Sequence, residues 1–233
     1  DPMKLIRFTI KSLSPGMLQN PASPELLESL RTKTPLQIRR DWTLVDEAYT
    51  KLYRSEDGHM GVPMQNIMSC LVIAGTFVKS GKKNLSTAKS TTIFSFLDFV
   101  DDFCKFAGCK PTGPDSKKFD VDWKPFPMKG NMDNKGSKTA VCINRPRIAH
   151  WELQFTVRFD DKATVDEKTL ILLVETAGRK VGLGDFAPRT RGRFGRFTVA
   201  KVEILPIPSD EKPVEIVNYT EKDAPVDLAA LVT

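Results

Sequence analysis

Within twenty positions, residues 178 to 197 combine flexible backbone, positive charge and planar rings. Gly178, Gly182, Gly184, Gly192 and Gly195 let the main chain turn and approach a ligand where a Cβ would clash. Arg179, Lys180, Arg189, Arg191, Arg193 and Arg196 surround a single acid, Asp185. That mixture suits a phosphate backbone, and Phe186, Phe194 and Phe197 offer faces on which unpaired bases stack. A solvated connector between a helix and a strand would share the glycines and the charge but gain nothing from the rings. Phe197 is equally suited to a core.

Outside this segment, Arg145 and Arg147 and the lysines Lys129, Lys135 and Lys138 are further candidate contacts to a polyanion. The chain has two histidines, His150 and His59, and a metal-independent ribonuclease would use one of them as general acid or base, with a lysine supporting the charged transition state. No Ser/His/Asp set, paired-carboxylate site or Walker loop can be drawn, because Gly182 and Gly184 are not followed by a Gly-Lys-Ser/Thr run. Cys70, Cys104, Cys109 and Cys142 lack the paired spacing of a zinc site, so neither metal nor cofactor is expected. Cys70 and Cys104 fall within apolar, helix-like patterns and read as reduced core thiols.

The net charge of +6 over 233 residues hides an asymmetry. Residues 206–233 carry six acids and two lysines, −4, which leaves +10 on the remaining chain. A basic body implies a polyanionic partner, and the acidic, proline-containing tail reads as an extended arm or a competitor for the basic face. The most apolar run, Ile67 to Val78, is too short and too often interrupted to span a membrane, and nothing resembles a signal peptide.

Around the candidate loop, residues 4 to 10 read as an opening strand that ends at Ser14, Pro15 and Gly16. An irregular excursion with a brief helix follows to Arg40. Pro63 is placed as the first residue of a helix carrying Ile67, Met68, Leu71, Val72 and Val78, and Lys79, Lys82 and Lys83 then complement the dipole at its C-terminus. Phe94, Leu97, Phe99, Val100, Phe103 and Phe106 are assigned to the core. Residues 108 to 139 turn Gly/Pro/Lys/Asp-rich, with Trp123 and Phe126 embedded, and are read as a long insertion, a finger or thumb over a ligand. From Trp151 to Phe159 the alternation predicts a half-buried antiparallel strand. Thr164 to Glu167 forms a capping box for a helix with Leu170, Leu173, Val174 and Ala177 inward, and Gly178 stops it. The last strand runs from Arg196 to Leu205. The expected architecture is one α+β domain over residues 3–205, with Met3 read as the natural start, plus the tail.

A strand and helix leading into Gly182 and Gly184, then Gly192 to Phe197 and a final strand, resembles the C-terminal glycine-rich loop of the RAMP superfamily of CRISPR-associated proteins. The N-terminal strand running into Ser14-Pro15, and Gly61 to Pro63 before a helix, fit the same resemblance, although Met64 stands where that family commonly has Gly. The arrangement is also similar to small proteins carried by phages and prophages. The resemblance implies a ferredoxin-like, RRM-like antiparallel sheet with helices on one face, binding of single-stranded RNA or DNA, often by side-by-side copies, and a location in the cytoplasm of a bacterial host. Three functions follow for test: a noncatalytic single-strand binder that self-associates, a ribonuclease of the CRISPR RNA-processing type, and a phage structural protein whose basic face meets an acidic protein surface.

Overall fold

The structure, a computed structural model, describes residues 3–22, 24–33, 41–112, 117–134, 137–160 and 165–206, with the backbone alone for 24–26, 132–134 and 137–139. In chain order the elements are β1 (Met3–Ser12), β2 (Met17–Leu18), α1 (Pro24–Thr32), α2 (Leu44–Thr50), β3 (Gly61–Pro63), α3 (Met64–Ala74), β4 (Lys79–Ser80), β5 (Lys83–Asn84), β6 (Leu97–Phe99), β7 (Phe103–Lys105), β8 (Trp123–Asn134), β9 (Ser137–Ile148), β10 (Glu152–Asp160), α4 (Glu167–Thr176) and β11 (Phe197–Leu205).

The main sheet runs β11-β1-β10-β6, all neighbours antiparallel. With α3 between β1 and β6, and α4 between β10 and β11, this is the split βαββαβ arrangement of a ferredoxin-like fold, strand order 4-1-3-2. The α+β class expected from the sequence is therefore the one observed. Alternation sets the core: Ile6, Phe8 and Ile10 of β1 are buried opposite Val157, Phe155 and Leu153 of β10. Phe8 stacks on Phe155 at 5.4 Å between ring centroids. Onto this face α3 lays Ile67, Cys70, Leu71 and Ala74, and α4 lays Leu170, Leu173 and Val174.

Several local expectations are corrected. Pro63 ends β3 and caps α3, so the helix starts one residue later, at Met64. It closes at Gly75, four residues before Lys79, and the lysines sit instead on a β4–β5 hairpin, where the helix dipole does not account for them. Cys104 is buried as expected but lies on a strand. Phe94 and Val100 are exposed, because the segment is a 3-10 turn and short strands, which do not keep the helical spacing that would turn every phenylalanine inward. The cap of α4 is Asp166, whose carboxylate accepts from Thr169 N at 2.8 Å; Thr164 lies outside the described residues. Gly178 does not end that helix. The chain continues through a π-helical turn, Ala177–Val181, and stops at Gly182, where φ is +73°. Gly178 is needed for packing, since a Cβ there would lie 2.1 Å from Phe197 O.

Much of the region read as a long insertion, a finger or thumb, belongs to a long hairpin: β8 and β9 pair over twelve residues each, and β2 extends the sheet. Pro125 and Pro127 are tolerated because β8 is the edge strand. Near its base one face of the hairpin rests on α2, where Asn144 Nδ2 donates to Leu44 O at 2.7 Å and Tyr49 lies 6.2 Å from Trp123, ring to ring. The other face meets the glycine-rich loop. Residues 207–233, the greater part of the acidic tail, lie outside the described residues.

Candidate nucleic-acid interface

The main sheet has a second face, the one that RRM-like folds leave open. Alternation places Arg7, Thr9 and Lys11 of β1, Gln154, Thr156 and Arg158 of β10, and Lys201 and Glu203 of β11 on it, and none of these is a ring. Phe8, Phe155 and Phe159 all face the helices. Most charges there are already matched, Lys11 with Glu152 at 3.1 Å, Lys201 with Glu203 at 2.7 Å and Arg158 with Asp98 at 3.5 Å, which leaves Arg7 as the one cation named there without an ion pair among the described residues. Neither stacking nor an unbalanced field favours nucleic acid on this face.

The glycine loop is different. Its path is held by main-chain contacts so close that only glycine fits. Gly184 (φ +79°) would bring a Cβ within 2.2 Å of Leu18 O, and Gly195 (φ +73°) within 1.7 Å of Leu183 O. Gly182 (φ +73°) and Gly192 are likewise crowded, by Pro188 and by the Phe186 carbonyl. These glycines serve approach of the chain to itself, whereas the sequence alone suggested approach to a ligand. Asp185 N donates to Leu18 O at 2.7 Å and Gly195 N to Gly16 O at 2.7 Å, which sews the loop onto the turn after β1. Phe186 holds φ +50°, a costly conformation for an aromatic residue, fixed by Phe186 N donating to Asp185 Oδ1 and Phe194 N donating to Phe186 O.

This geometry sorts the candidate cations into two groups. Arg189 spends its guanidinium on the loop, donating to Gly182 O at 2.5 Å and Gly184 O at 3.0 Å. Arg145, largely buried, donates from Nε to Asp185 Oδ2 at 2.8 Å, forty residues away along the chain. Arg147 Nε donates to Pro15 O at 2.9 Å, and its guanidinium lies 5.6 Å from the Phe126 ring centroid. Phe126 in turn meets Phe194 edge to face at 5.5 Å, and Phe194 is itself buried. Arg179 pairs with Glu175 at 2.7 Å. Burial pushes the Glu175 carboxyl up, but hydrogen bonds from Val199 N, Arg179 and Thr198 outweigh it and hold the group below the usual glutamate range. These cations hold the loop, the hairpin and β11 together.

Arg191, Arg193 and Arg196 form the second group. All three are exposed and make no side-chain hydrogen bond or ion pair among the described residues. Lys180, at the start of the same segment, is also exposed, its ammonium 4.7 Å from the Phe77 ring centroid. Lys129 is exposed too, but its register opposite Cys142 puts it on the hairpin face opposite to Phe126 and Arg145. Lys138 lies near the far tip, and Lys135 is outside the described residues. The structure thus joins the loop with Arg145 and Arg147 but does not bring Lys129 to it.

His150 is exposed after β9 and makes no hydrogen bond among the described residues. His59 Nδ1 lies 3.1 Å from Asp57 Oδ2, whose other close partner is Lys105 Nζ at 2.5 Å. Burial pushes the Cys70 thiol up to about 12, and its Sγ contacts Gly182 O at 3.4 Å, so it serves as a packed link between α3 and the start of the loop. Among the described residues no group of three or more His, Cys, Asp or Glu is placed to hold a metal, and no helix is long and apolar enough to cross a membrane. Sequence reasoning missed the Arg147–Phe126–Phe194 ladder and the exposed Phe77.

No family model and no curated protein matches the chain. A solved structure that it resembles is that of the Type III-B Cmr-beta bound to cognate target RNA, at 13% identity and a TM-score of 0.43. The alignment covers 88% of this chain and 61% of that one. A likeness of this size does not establish a family.

Proposed function

We propose that the chain binds single-stranded nucleic acid, without cleaving it, on the outer surface of the glycine-rich loop. The observation that carries this reading is the division of the loop's arginines. Those that the fold uses have partners; Arg191, Arg193 and Arg196 are held out on a main chain too tightly packed to collapse onto them. Exposed, unpaired guanidinium groups on a fixed main chain attract phosphates, and their planar forks suit bidentate contacts to phosphate oxygens. Phe186, half-buried at the same loop, supplies a ring edge for a base.

The roles divide accordingly. Arg191, Arg193 and Arg196 take phosphates, while Arg189, Arg145 and Asp185 position the loop. Copies bound side by side along a strand would share it, and the acidic tail would then act on a neighbour or on the basic face. The test is a titration of labelled oligouridylate and oligothymidylate, with a duplex of equal length as control. Salt-sensitive binding that favours the single strands is expected, sigmoidal if copies assemble. Equal affinity for the duplex, or no binding by wild type at low salt, overturns the reading.

A further inference from the structure

Phe77 is 54% exposed, and Lys180 Nζ lies over its ring at 4.7 Å from the centroid. Two residues further on, the β4–β5 hairpin presents Lys79, Lys82 and Lys83, all exposed, around the open turn at Gly81. The hairpin is not a loose loop. Val78 and Leu85 anchor it in the core, Leu85 N donates to Val78 O at 2.9 Å, and Asn84 Nδ2 donates to Thr76 O at 2.9 Å. Its lysines line a hollow of about 520 Å³ whose remaining wall carries the hydroxyls of Ser86, Thr87 and Ser90.

The charge here is unbalanced. Residues 58–97 contain four lysines, at 79, 82, 83 and 89, and no Asp or Glu. None of the four forms an ion pair among the described residues. With α3 already closed at Gly75, the helix dipole does not explain the lysines. A cluster of like charges on a rigid ribbon repels itself unless a polyanion answers it, and the exposed ring beside it favours a polyanion that carries planar bases over an acidic protein surface.

We propose that Phe77, Lys180 and the lysine hairpin form a second single-strand contact: one base stacks on the free side of the Phe77 ring, and flanking phosphates meet Lys79, Lys82 and Lys83. The proposal rests on the nucleic-acid reading above and lengthens its footprint, since Lys180 belongs to the turn that leads directly into the arginine loop. It also assigns a ligand to lysines that the fold leaves without a role.

The experiment compares wild type, Phe77→Ala, a Lys79/Lys82/Lys83→Gln triple variant, and an Arg191/Arg193/Arg196→Gln triple variant, each titrated with fluorescein-labelled oligouridylate over a salt series. Loss of three single-strand phosphate contacts lowers the slope of log K against log salt by roughly 2. Loss of one stacked base in Phe77→Ala weakens affinity about fivefold or more. Phe77→Ala leaves net charge unchanged, so its effect separates a specific contact from general attraction. Unchanged affinity in Phe77→Ala, or an unchanged slope in the lysine variant while wild type binds and the arginine variant weakens, overturns this site alone. Failure of wild type to bind defeats the parent reading and this one with it.

Discussion

Replacing Arg191, Arg193 and Arg196 with glutamine removes three positive charges that the fold does not use, and this makes their effect on binding calculable. Each side chain is exposed and unpartnered among the described residues, so the variant keeps its melting temperature, with a change in stability within about 0.5 kcal/mol. If each arginine meets one phosphate, the single-strand slope of log K against log salt falls by about 0.7 per contact, or about 2 in total. Extrapolated to 0.1 M salt, the same relation gives a loss of about 100-fold in affinity. Fluorescence anisotropy with a labelled oligonucleotide, repeated at several salt concentrations, reads both quantities, and circular dichroism on the same samples reads the fold. The contrast is Arg145→Gln, which leaves the Asp185 carboxylate beside Leu18 without its cationic partner and costs about 1–3 kcal/mol of stability; its binding should fail only as the loop melts. A triple variant that stays folded and binds with unchanged slope would refute the division of the arginines on which the interface is built.

Three other outcomes follow from the same geometry. Gly184→Ala forces a Cβ into Leu18 O and imposes φ +79° on alanine, so it should lower stability by roughly 2 kcal/mol or more and weaken strand binding in parallel, measured by denaturant unfolding and titration. Glu175→Gln loses charge-assisted bonds to Val199, Thr198 and Arg179, costing about 1–2 kcal/mol at neutral pH. Because the folded-state carboxyl of Glu175 is held below its ordinary value, that stabilisation is fully present above the unfolded pKa of about 4.3 and disappears as pH falls through the lowered value, so the melting curves of wild type and variant should converge in acid. His150→Ala and His59→Ala should leave turnover of a labelled RNA at background; specific cleavage by wild type that either substitution abolishes would put a ribonuclease in place of the binder.

What the sequence discloses follows from how far its signals reach. Strands β1, β10 and β11 and helix α4 are legible because their apolar periods are local and strong: alternation from Trp151 to Phe159 alone places Phe155 and Val157 against the helices. Strand β8 is hidden because Pro125, Pro127 and Gly130 give it the composition of a loop, and only its place at a sheet edge makes that composition tolerable. The loop is visible as a basic, glycine-rich segment, yet its inner logic is not, since the partner that takes Arg145 out of solution lies forty positions away at Asp185 and the atoms that require glycine at 184 belong to Leu18. Charge counted along the chain therefore overstates the interface: of the six cations between 179 and 196, Arg179 and Arg189 are held by Glu175 and by loop carbonyls, and only the remaining four are free of hydrogen-bond and ion-pair partners among the described residues. The opposite error occurs at Lys79, Lys82 and Lys83, where a plausible local explanation, the end of a helix, conceals charge that the fold does not neutralise. A basic residue points to a ligand only after the fold's own carboxylates and carbonyls have been served, and that subtraction requires three-dimensional neighbours.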